Sequence, residues 1–105
     1  MNAKTQYISQ LIRATISEVD ASAEVILYGS RARGEERTDS DWDILVLTEY
    51  AVDIHRERAF RDRLYDVELD TGEVFSLFVF SKQDWFSRQR ITPFFENVMQ
   101  EGISL

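Results

Sequence analysis

Tyr28-Gly29-Ser30-Arg31-Ala32-Arg33-Gly34 runs, after a short polar segment, into Ser40-Asp41-Trp42-Asp43-Ile44-Leu45-Val46-Leu47. This stretch couples a Gly-Ser turn, able to wrap a phosphate, to two carboxylates in i, i+2 register at the mouth of an apolar strand. Side chains alternate along a strand, so Asp41 and Asp43 point to one side while Trp42 and Ile44 point to the other. Two carboxylates roughly 6–7 Å apart at Cβ repel, and each raises the other's cost of ionisation. An apolar strand tolerates that pair poorly unless a cation bridges it or water reaches it. Hard oxygen donors on one face suit Mg²⁺, which binds through one or two carboxylates plus substrate phosphates. Two such ions about 3.5–4 Å apart could clamp the attacking and leaving oxygens of an in-line displacement.

The Gly-Ser turn supplies the other half of a nucleotide site. Gly29 lets the backbone approach a phosphate closely, and Ser30 offers an N–H and a hydroxyl. A helical turn beginning near Ala32 would favour the same anion. Arg31 or Arg33 could then reach the phosphate tail as a planar, bidentate donor. Taken singly, Asp-x-Asp is usually a solvated strand start and Gly-Ser usually a turn. Both at one fixed spacing arise by chance in roughly one chain of this length in a thousand, which favours a ligand site.

Working outward, the segment Glu24–Tyr28 reads as a short strand ending at Gly29, and residues 42–48 as a second strand, apolar on both faces and therefore central in a covered sheet. Before them, Tyr7, Ile8, Leu11, Ile12, Ile16 and Val19 recur at helical spacing, predicting an amphipathic helix over residues 4–19. After them, Val52 to about Asp66 predicts a charged helix buried through Val52, Ala59, Phe60 and Leu64. Asp70-Thr71-Gly72 reads as a turn, and residues 73–80 as the third strand. Ser81 and Asp84 have the spacing of a capping box, and Thr92-Pro93 that of an N-cap and first helical position, with Gly102 as the stop. The pattern is α-β-β-α-β-α-α: an α+β single domain over residues 1–105, a small mixed sheet packed with helices.

The bulk composition restricts function. No apolar run approaches the roughly 18 residues of a membrane span, and the polar start Met1-Asn2-Ala3-Lys4 is no secretory signal. Without cysteine there are no disulfides or thiolate metal sites, which fits a reducing cytoplasm as the expected location. A net charge of -7 argues against broad nucleic-acid binding, although Arg31, Arg33 and Arg37 form a local basic cluster beside the motif. His55, the single histidine, sits among helical charges and reads as a surface residue. The runs around Arg56–Arg58 and Arg61–Arg63 read as a solvated face. Trp85, Phe86, Phe94 and Phe95 exceed what a three- or four-stranded sheet can bury, so some remain exposed.

Gly29-Ser30, ten residues, then Asp41-Trp42-Asp43 resembles the signature of the minimal nucleotidyltransferases of the DNA polymerase β superfamily, and the string Gly29–Gly34 is close to that of the small stand-alone bacterial type. The motif spans residues 25–48, and the order of elements extends the likeness over most of the chain. The resemblance implies a polymerase β-like palm fold. It also implies transfer of a nucleoside monophosphate from a nucleoside triphosphate, ATP first among them, to an acceptor hydroxyl with release of pyrophosphate. Asp41 and Asp43 would be the catalytic metal ligands for Mg²⁺, and Gly29 and Ser30 would hold the phosphates. Relatives that pair with HEPN-type toxins adenylylate a toxin tyrosine, so an antitoxin role with such a partner is the implied biology.

One departure bears on activity. Fully active relatives carry a third carboxylate on the next strand, where this chain has Ser76, a poor general base near neutral pH. Glu73 could replace it only in a register that brings it round from the opposite face. Two functions follow: a Mg²⁺-dependent nucleotidyltransferase acting on a protein or small-molecule hydroxyl, or a module of the same fold that neutralises a partner protein by contact alone.

Overall fold

The apolar run around Ile44–Leu47 does become a central strand. In the computed structural model, which describes all 105 residues, the elements are α1 (Ala3–Val19), β1 (Glu24–Tyr28), α2 (Ser30–Arg33), β2 (Trp42–Thr48), α3 (Ile54–Thr71) and β3 (Phe75–Ser81). They continue through α4 (Lys82–Ser87), a 3-10 turn (Gln89–Ile91), α5 (Pro93–Glu101) and β4 (Ile103–Ser104). The sheet order is β3-β2-β1-β4. β1 is antiparallel to both β2 and β4, whereas β2 and β3 are parallel, giving the expected mixed sheet. Parallel neighbours need a crossover of a dozen or more residues, which α3 supplies.

Alternation along the strands divides the apolar residues between two layers. Val25, Leu27, Trp42, Ile44, Val46 and Leu77 face Ile8, Ile12 and Ile16 of α1 and Phe60 and Leu64 of α3. Leu45 and Leu47 face Trp85 and Val98 on the other side, with Tyr28, Phe80, Phe94 and Phe95 packed around them. Fully burying a side chain such as Ile12 or Leu45 is worth about 1.5–3 kcal/mol, so both layers are needed to hold a chain this short. Trp85 is wholly buried, but Phe86 is 48% exposed, so the aromatic excess does reach the surface. No helix is long and apolar enough to cross a membrane.

Several boundaries shift from the sequence reading. α3 starts after Val52, with Asp53 as its cap, and continues past Asp66 to a left-handed stop at Gly72; the segment read as a turn is its last residues. Its extension has a use, because the Glu68 carboxylate accepts from the Phe75 N–H at 2.9 Å and tethers β3. β3 begins two residues later than Glu73. His55 lies in the first turn of α3 and is exposed. The caps at Ser81 and Thr92 form, their hydroxyls accepting from the N–H groups of Asp84 and Phe95. Gly102 ends α5 in extended rather than left-handed backbone. Its hydrogen is required by crowding instead: a Cβ there would lie 2.5 Å from the Val98 carbonyl oxygen and 2.7 Å from Ile26 Cγ2.

Candidate active site

β1 delivers the chain to Gly29, which turns it at φ +76° directly into the short helix α2. That backbone is close to inaccessible to residues with a side chain. A second constraint is spatial, because an added Cβ would lie 2.1 Å from Asp43 Oδ2. The Gly-Ser turn and the second acid of the motif are therefore in direct contact, although fourteen positions separate Gly29 from Asp43 in the chain.

Sheet register defines the surroundings of Asp43. It pairs with Tyr28 on β1 and with Ser76 on β3, so the position beside it on β3 carries no carboxylate. Burial first, then the neighbouring charge of Asp41, raises the Asp43 carboxyl above the ordinary aspartate range; Arg33 opposes the shift and Glu101 adds to it. Burial, Asp43 and Glu101 likewise push the Tyr28 phenol up. Asp41 lies one residue before β2 and is exposed. Glu73 does not take the place of a third acid. It stays on the α1 side of the sheet, where the Lys4 ammonium meets it at 2.7 Å.

The arginines part company. Arg31, expected to reach a phosphate, is 4% exposed. Its guanidinium donates to the carbonyls of Ser40 (2.8 Å) and Thr38 (3.4 Å) and lies 4.3 Å above the Trp42 ring. It fastens the loop between α2 and β2 and thereby fixes where Asp41 emerges. Burying a guanidinium is tolerated only when its donors are satisfied in this way. Arg33, two residues on, stays on the surface and faces Glu101 and Glu35. Arg37 is exposed, and its backbone N–H donates to the Ser40 hydroxyl, closing the same loop.

Glu101, at the end of α5, was not picked out by the motif. Its Oε1 accepts from the Gly29 N–H at 3.0 Å and its Oε2 from Arg33 Nη1 at 2.9 Å. The only local signal was the Glu101-Gly102 pair closing a helix; the contact itself spans 72 residues. No group of three or more His, Cys, Asp or Glu side chains is arranged to hold a metal; Asp41 and Asp43 stand as a pair at the mouth of β2. A cleft of about 510 Å³ lies at the other end of β3 against α4, lined by Val79, Phe80, Gln83 and Asp84 among others. The acids are not part of its lining: Asp41 is exposed and Asp43 half-buried.

A family model described as polymerase beta, nucleotidyltransferase, matches residues 10–104. Among solved structures, a proposed minimal nucleotidyltransferase superposes with a TM-score of 0.64 at 25% identity, covering 96% of this chain and 95% of that one. A mutant of the toxin-antitoxin pair MntA-HpeT gives 0.62 at 17% identity, covering 99% and 72%. A toxin-antitoxin structure with AMP-PNP gives 0.56 at 16%, covering 88% and 70%. These last two show likeness of fold. No curated protein sequence matches. With the family model spanning nearly the whole chain, this chain belongs to the polymerase beta nucleotidyltransferase family.

Proposed function

We propose that this chain transfers a nucleoside monophosphate, AMP from ATP, to a hydroxyl of a protein or small molecule, and that it does so as the antitoxin of a toxin pair. The observation that carries the reading is the contact between Gly29 and Asp43, which sets a phosphate-wrapping turn against a strand-borne carboxylate with Asp41 beside it. Gly29, Ser30 and Arg33 hold the phosphate tail in this reading. Arg31 acts one step behind them, through the loop it fastens.

The residues fit Mg²⁺. Asp41 and Asp43 are hard oxygen donors whose mutual repulsion is relieved by a cation. When bound, the ion would supply neutralisation of the triphosphate and of the two acids. The acceptor oxygen attacks the α-phosphorus, the bond to the bridging oxygen breaks, and pyrophosphate departs on the Gly29–Ser30 side. Ser76 is no base near neutral pH, so the hydroxyl proton passes to water. The antitoxin role draws support from the toxin-antitoxin structures that share the fold, one of them with AMP-PNP. A HEPN-type toxin is the partner the sequence resemblance implies.

The test is a calorimetric titration of ATP with Mg²⁺ into the wild type and Asp43→Asn. Binding by the wild type that falls at least tenfold in a folded mutant is expected; undiminished binding by the mutant sinks the two-acid mechanism. The contact-only reading is favoured by one observation, the serine opposite Asp43. It predicts that Asp41→Ala/Asp43→Ala still silences the partner toxin with no label transferred.

A further inference from the structure

We infer that Glu101 sets the nucleotide affinity of this site by occupying, with its own carboxylate, donors that a polyphosphate would use. The inference rests on the reading of Gly29, Ser30 and Arg33 as the phosphate cradle. A single carboxylate bridges the Gly29 N–H and the Arg33 guanidinium, at 3.0 and 2.9 Å, as two oxygens of one phosphate would. A backbone N–H donates one strong hydrogen bond, so phosphate and carboxylate cannot both hold Gly29. Arg33 has further N–H groups and is less exclusive.

Charge acts in the same direction. Asp41, Asp43 and Glu101 bring three formal negative charges to one rim, and Arg33 is shared between Glu101 and Glu35. A polyphosphate arriving there meets a carboxylate at contact distance from the donors it needs. The backbone cannot give way to relieve this. Gly102 is wedged against Val98 and Ile26, and Ile103 pairs with Leu27 in β4. The Glu101 side chain is 24% exposed and is held at its carboxylate only by Gly29 and Arg33, the two donors a phosphate would take over. Displacement is therefore a rotamer change at one residue, and each binding event includes its cost. Because Glu101 ends α5, whatever grips that helix also acts on the cradle.

Two probes separate the cradle from the acids: sodium tripolyphosphate in EDTA, and ATP with Mg²⁺. Each is titrated by calorimetry into the wild type, Glu101→Gln and Glu101→Ala, with thermal melts confirming that each is folded. Glu101→Gln keeps an acceptor for the Gly29 N–H while removing the charge, and Glu101→Ala serves if the amide is not tolerated. The expected result is tripolyphosphate bound about tenfold more tightly by the variants, the size expected for one like charge removed near a partly exposed site. The gain should vanish in Arg33→Gln/Glu101→Gln. Equal or weaker tripolyphosphate binding by both single variants, or none by any of the proteins, overturns the inference. A tripolyphosphate gain without any binding of ATP and Mg²⁺ leaves Glu101 in this role and sinks the transferase reading. ATP with Mg²⁺ bound equally by the wild type and both variants, with no tripolyphosphate gain, does the reverse.

Discussion

A methyl group at position 29 would lie 2.1 Å from Asp43 Oδ2 while the backbone there stands at φ +76°, so Gly29→Ala meets two penalties together. Strain in that region costs about 1–3 kcal/mol, and the carboxylate must also move. The expected result is a loss of about 2 kcal/mol in urea melts together with loss of nucleotide binding. Gly34→Ala is the control. It shares the positive φ, but nothing lies within 4 Å of its added Cβ, so it should lose stability and keep binding. Asp43 makes a second residue-scale prediction. Burial, Asp41 and Glu101 raise its carboxyl in the fold, so the folded chain binds more protons than the unfolded one between the ordinary aspartate range and the raised value. Stability therefore declines as pH rises through that window. Without divalent cations, Asp43→Asn should melt higher than the wild type at neutral pH, and the gap should close in acid. A gap that persists or widens in acid would contradict the assignment.

At the scale of elements, the register of β2 against β3 decides which side chain stands beside Asp43. Asp43 faces Ser76 with no residue between, so Ser76→Asp would set a third carboxylate beside the pair without altering the strand. A positioned general base contributes about 10²–10⁴-fold, and even an imperfect one should raise label transfer to the acceptor by tenfold or more. The same change should lower the melting temperature in EDTA, because a third acid joins two that already repel. Transfer unchanged by Ser76→Asp would mean that proton removal is not what limits the reaction. This register was legible in part. The face of Ser76 follows from strand periodicity, but its partner across the sheet depends on where β3 begins. Glu68 fixes that start from the end of α3, through a hydrogen bond that sequence periodicity does not encode.

For the whole molecule, what the sequence disclosed and what it hid differ by the range of the interactions. α1, β1, β2 and the caps at Ser81 and Thr92 are local, and periodicity or cap spacing reveals them. β4 is only two residues long and exists because Ile103 and Ser104 find β1; the Leu105 N–H extends the pairing to Val25, so no local pattern announces it. Glu101 was invisible as a site residue for the same reason. Arg31 and Arg33 look equivalent in the string, and only the Trp42 ring and the Ser40 carbonyl separate a buried brace from a surface donor. The division of the core into two faces has an optical consequence. The chain's two tryptophans are both fully buried, Trp42 in one layer and Trp85 in the other. Replacing either with phenylalanine leaves an emission spectrum that belongs to a single layer. Trp42, beneath the Arg31 guanidinium, would report on the loop that leads to Asp41, and Trp85, ringed by Phe80, Phe94 and Phe95, on the helices that end at Glu101. Fluorescence can thus time events on the two sides of one sheet separately, with no dye attached.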